Sequence, residues 1–160
     1  MKKALLWILV VSFALIRPVY AEEWLPVREK SLEVQAGSPL DFSDILPETK
    51  IDENTRVIVT PAGKLAIAND AAKPQRFLCA SLALSPASGG FPDHDAADRY
   101  ALQFKRHGYN IARFHYVDAA LMADRAKDFD FDPQVLDRVH YFMAALKRNG
   151  IYWIMDGLSS

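Results

Sequence analysis

One pattern, written twice, constrains this chain more than anything else in it. Residues 96–116 read AADRYALQFKRHGYNIARFHY, and residues 136–156 read LDRVHYFMAALKRNGIYWIMD. Each runs from an amphipathic helix through Lys-Arg-x-Gly into a mostly apolar strand. The glycines, Gly108 and Gly150, fall one β/α unit apart. Such units build parallel sheets, because two parallel neighbours need a crossover long enough to hold a helix. Only a few residues follow the second strand before Ser160. The expectation is a β/α architecture begun and not closed.

The caps of both helices are explicit. Pro92-Asp93-His94-Asp95 opens the first, with acidic side chains where free amides and the helix dipole favour them. Ala97, Tyr100, Ala101 and Phe104 then recur at helical spacing. Asp132-Pro133 opens the second, with Asp as cap and Pro at the first helical position. Val135, Leu136, Val139, Phe142, Met143 and Leu146 form its apolar stripe. Residues 151–155 are apolar throughout, which predicts a central strand covered on both faces.

Upstream, TRVIVT at 55–60 reads as a strand, Pro61-Ala62-Gly63-Lys64 as a turn, and residues 65–68 as a returning strand. This predicts a β-hairpin over 56–68, a polar connector over 69–75 and a buried strand over 76–82. Cys79, the single cysteine of the chain, is expected there as a small core residue. Residues 38–43 carry turn and cap chemistry.

The first 21 residues have the form of a secretory signal peptide. Lys2 and Lys3 precede a short apolar run, and Val19-Tyr20-Ala21 is a small-x-small cleavage site. The run is too short for a stable membrane anchor. The expected address is periplasmic or extracellular, after cleavage following Ala21. The organisation is then a signal peptide (1–21), an N-terminal extension with the hairpin (22–75), and an incomplete β/α barrel (76–160). Basic and acidic residues number 19 and 20 and give a net charge of −1. With no basic block, nothing points to nucleic acid. No P-loop, dinucleotide glycine fingerprint, Gly-x-Ser-x-Gly or His-Glu-x-x-His is present, so no cofactor is expected.

Candidate site residues come from the functional end of a parallel sheet, where ligands bind beyond the C-terminal ends of the strands. In the strand 110–115, alternation puts Ile111, Arg113 and His115 on one face and Ala112 and Phe114 on the helix-packing face. An arginine inside a strand needs a partner, which must come from another strand or from a ligand. Asp156 ends the following strand at the equivalent height, either as a substrate-contacting carboxylate or as a cap for the turn at Gly157. Arg113, His115 and Asp156 are the substrate-binding candidates, and no catalytic residue is assigned. His115 and Asp118 allow a metal reading, which no third ligand completes. The carboxylates of Asp128, Asp130 and Asp132 read as a loop and helix cap rather than a calcium site, since the glycine and distal glutamate of such a loop are missing. Trp153 reads as core and His94 as first-turn surface.

Together Gly108-Tyr109-Asn110-Ile111-Ala112-Arg113-Phe114-His115, with Arg76-Phe77, Phe91-Pro92, Leu136-Asp137-Arg138 and Leu146–Gly150, resembles the N-terminal part of cellulase-like (family 5 type) glycoside hydrolases. These are (β/α)8 TIM barrels, so the resemblance implies an α/β fold holding about the first three β/α units of such a barrel, preceded by a small β element. Arg113 matches an arginine that lies near the catalytic carboxylates in that family, and His115 a residue that lines its sugar site. The resemblance further implies a carbohydrate substrate for the full-length relative. The family's two catalytic glutamates come from strands 4 and 7, beyond the three strands read here. The chain is therefore expected to be an exported glycoside hydrolase fragment acting on O-glycosidic bonds and inactive alone. Two alternatives remain: a non-catalytic carbohydrate- or partner-binding module, and a metal-dependent barrel hydrolase.

Overall fold

A computed structural model describes residues 33–45 and 50–157. The signal-peptide reading and the polar start at 22–30 lie outside the described residues. The described chain is mixed α/β, with two three-stranded sheets and three α-helices.

The first sheet is antiparallel, in the order β1 (Val57–Val59), β2 (Leu65–Ile67), β3 (Asp70–Pro74). The hairpin forms as its sequence dictates. Gly63 takes a φ of 70° in the turn, a conformation glycine adopts without steric cost. Val57, Ile58 and Val59 pair with Ile67, Ala66 and Leu65. The connector expected after it is instead a third strand, fully exposed and joined through an irregularity between Ala66 and Ile67. Its polar composition and Pro74 hid it. Proline is tolerated at an edge, where no partner waits for its missing amide.

The second sheet is parallel, in the order β4 (Cys79–Ala83), β5 (Ile111–His115), β6 (Tyr152–Met155). Two crossovers build it. The first carries α1 (His94–Arg106), and the second carries the short α2 (Val117–Leu121) and the long α3 (Pro133–Arg148). Asp93 caps α1 by accepting from the Ala96 amide, and Asp132 caps α3 by accepting from the Gln134 and Val135 amides. Gly108 and Gly150 end these units at φ values of 80° and 72°, as the Lys-Arg-x-Gly pattern requires. Residues 33–45 close the C-terminal end of α1. There the Phe42 amide donates to the Arg106 carbonyl at 2.7 Å, and Arg106 Nη1 donates to the Val34 carbonyl at 2.9 Å. The first contact satisfies a carbonyl that a helix terminus leaves open.

The core lies between the parallel sheet and α1 and α3. Its largest fully buried side chains are Phe114, Phe142, Leu146 and Ile151. Phe114 and Phe142 stack with centroids 5.3 Å apart, and Phe91 meets Phe114 edge-on at 5.8 Å. Among the described residues, helices cover only one face of the sheet, which corrects three expectations. Cys79 is exposed rather than core. In β4 only Ala80 is buried. Residues 153–155 are an open edge instead of a covered central strand, with Trp153, Ile154 and Met155 exposed by 42%, 45% and 40%. Trp153 and Met155 pair with Ala112 and Phe114 and so share the helix-packing face, but no described helix extends over them. Apolar composition reports what a strand is suited to bury; the neighbours decide what it does bury.

Candidate functional site

The site is the face of the parallel sheet turned away from α1 and α3, at the C-terminal ends of its strands. Register decides its membership. Ser81 pairs with Arg113 and Ala83 with His115, while Arg113 pairs with Ile154, one alternation before Asp156. Ser81, Arg113, His115 and Asp156 therefore emerge on one face, from three adjacent strands.

Asp156 is the hub. Arg113 grips it with a two-pronged fork, Nε to Oδ1 at 3.0 Å and Nη2 to Oδ2 at 3.0 Å. This bidentate geometry is specific to a planar guanidinium on a carboxylate. His115 Nδ1 lies 2.6 Å from the same Oδ2, and His115 Nε2 is 2.8 Å from Ser81 Oγ. The Arg113 guanidinium, through its hydrogen bonds and its charge, holds the Asp156 carboxyl below the usual carboxylate range, with His115 adding to the effect. The carboxylate in turn raises the pKa of Arg113. A charged Asp156 only accepts, so Nδ1 of His115 donates to it, and in the neutral ring Nε2 is then the nitrogen that accepts from the Ser81 hydroxyl.

The backbone beside this cluster is unusual. Tyr116, directly after His115, has a φ of 62° and is the N-cap residue of α2. A bulky aromatic in the left-handed region is strained, and such strain gathers at functional sites.

The three residues expected at the site are thus together, and Asp156 is the inter-strand partner that Arg113 required. Ser81 was missed, because its place opposite Arg113 follows only from the β4–β5 register. A polar residue at the centre of an otherwise apolar run was the one local signal. The other candidates lie elsewhere. Asp118 is in the first turn of α2. Asp130 receives Arg125 Nη2 at 3.2 Å, and Asp132 is a helix cap. His94 is held at the surface by Asp137 at 2.8 Å and stacks on Tyr141 at 3.7 Å. Among the described residues, no group of three or more His, Cys, Asp or Glu is placed to hold a metal ion, and no helix is long and apolar enough to cross a membrane.

A cleft of about 600 Å³ opens at the opposite end of the sheet, where Asn110, Ile151 and Tyr152 begin β5 and β6. Asn110 Oδ1 accepts from the Leu78 amide at 2.8 Å, and its Nδ2 donates to the Arg76 carbonyl at 2.9 Å. Tyr152 Oη donates to the Thr55 carbonyl at 2.6 Å. These contacts tie the two sheets and the strand starts together, whereas ligands of parallel β/α sheets bind at the other end.

Comparison with protein-family models, with curated proteins and with solved structures finds no match for this chain.

Proposed function

We propose that this chain forms the first three β/α units of an exported glycoside hydrolase barrel of the cellulase-like type, and that the open face of β4–β5–β6 is its saccharide-binding surface. The reading rests on the resemblance of residues 108–115 and on one structural observation. A charged and hydrogen-bonded cluster stands where a parallel β/α sheet receives its ligand, at the end of a face that no described helix covers.

The chemistry suits sugars. Asp156 supplies carboxylate lone pairs, and Arg113 presents Nη1, which the fork leaves uncommitted. A sugar hydroxyl both donates and accepts, so a carboxylate–guanidinium pair can satisfy both functions at once. The exposed Trp153 belongs to the other face and is not part of this surface. Retaining or inverting hydrolysis needs two carboxyl groups flanking the bond. On this face the only described carboxylate is Asp156, and it is committed to Arg113, so these strands bind saccharide without cleaving the glycosidic bond.

Electrophoresis of the exported chain through gels containing soluble β-glucan or xylan tests the reading. Retardation is expected, lost in Arg113→Met. Unretarded migration of the folded wild-type chain, or glycosidic cleavage by it, overturns the proposal.

A further inference from the structure

Ser81, His115 and Asp156 are connected in the order of a nucleophile, its base and the base's orienting carboxylate. We propose that Ser81 is an acyl-transfer nucleophile, and that the open face removes ester groups from decorated saccharides. The saccharide part of this proposal rests on the function proposed above, and the nucleophile does not.

The geometry carries it. The Ser81 Oγ to His115 Nε2 distance of 2.8 Å and the His115 Nδ1 to Asp156 Oδ2 distance of 2.6 Å fall within the reach that nucleophile–base and base–orienter pairs require. The relay is recognised by geometry and roles, since unrelated folds carry it in different chain orders. Asp156 fixes the ring proton on Nδ1, which leaves Nε2 basic and directed at the hydroxyl. Ser81 and His115 sit on strands, Asp156 directly follows β6, and Arg113 locks the carboxylate from its other side. Ser81 is exposed, so an incoming carbonyl can reach it. Arg113 stands directly across from it in the sheet register and has Nη1 uncommitted to the fork.

The step balances without an oxidant or a metal. Ser81 Oγ adds to the ester carbonyl carbon while its proton passes to His115 Nε2. The carbonyl π pair moves onto oxygen, which faces the guanidinium of Arg113. Collapse breaks the acyl carbon–oxygen bond to the sugar, and the proton on His115 goes to the departing sugar hydroxyl. Water then repeats the sequence on the acyl-serine and releases the carboxylic acid and free Ser81.

The test uses the full chain, a fluorophosphonate reagent with peptide mapping of the adduct, and acetylated xylan with assay of released acetate. An adduct on Ser81 is expected, forming at least about 100-fold more slowly in His115→Gln, within the usual contribution of a general base. Acetate release is expected from wild type and not from Ser81→Ala. Circular dichroism of each variant separates a lost nucleophile from a lost fold. A folded wild-type chain with no Ser81 adduct, or an adduct rate unchanged in His115→Gln, overturns the inference and leaves the saccharide-binding reading untouched. A Ser81 adduct in a chain that polysaccharide gels do not retard overturns the saccharide as substrate and leaves the nucleophile standing.

Discussion

On one face of the parallel sheet, Ala80, Ala112 and Phe114 lie shut beneath the helices; on the other, Ser81 and Arg113 stand open to solvent beside a half-buried His115. The same strands supply both sets, one residue out of step. The covered face is apolar, close-packed and without a buried charged group among the described residues. The open face carries a forked ion pair and a histidine bonded at both nitrogens. Alternation along a strand thus separates what holds the domain together from what it offers to a ligand. A polar cluster of this kind contributes little to stability when solvent reaches it, so the folding energy must come from the other side.

The largest effect expected from breaking this contrast is on the covered face. Phe142→Ala removes a fully buried ring stacked on Phe114 and is expected to cost about 4 kcal/mol, enough to leave little folded chain at 37 °C. Urea titration by tryptophan fluorescence checks this. At the start of the strands, Asn110→Ala deletes two side-chain hydrogen bonds to the backbone at residues 76 and 78. A loss of about 2 kcal/mol is expected from the same titration, with the open-face cluster still formed. On the open face itself, Arg113→Met is expected to abolish polysaccharide retardation with hardly any shift in the urea midpoint. A midpoint shift as large as that of Phe142→Ala would show that the two faces are not separable.

A smaller effect is expected from acid. Asp156, Asp98 and Asp132 all have lowered pKa values, for which the fork from Arg113, the hydroxyl of Tyr141 and the amide of Val135 are the leading causes. A carboxylate lowered in the folded state contributes stability that is present above the ordinary value of about 4 and is lost as pH falls through the lower folded value. The urea midpoint should therefore change little from these groups between pH 5 and 7, on the order of the window that their pKa values define, and should fall below about pH 4. Arg113→Met should flatten the part of that fall due to Asp156. A fall that begins at pH 6 would point to a different group.

Much of this division was legible in the residues. Asp93 and Asp132 announced their helices, the Lys-Arg-x-Gly repeats announced the stops, and alternation in residues 111–115 assigned Arg113 and His115 to a single face. These are local signals, fixed by backbone geometry within a few residues. What the residues hid was non-local. Cys79 and Trp153 have core-like chemistry, yet no described element covers them. Residues 70–74 look like a linker because an edge strand needs no apolar face. Ser81 gains its meaning only from the strand register that places it beside His115. The carboxylate of Asp156 had two readings until its neighbour across the sheet was known.

The most direct test of the open face as the functional one is a side-chain ¹H–¹⁵N spectrum of His115 and Arg113, recorded while a xylan or β-glucan oligosaccharide is added. The free chain should show His115 protonated at Nδ1 with Nε2 accepting, and Arg113 Nε in its bond to Asp156. Added oligosaccharide should shift both sets of signals and leave the amides around Phe142 in place. A ring protonated at Nε2 in the free chain, or saturating oligosaccharide that leaves His115 and Arg113 unmoved, would contradict the assignment of this face.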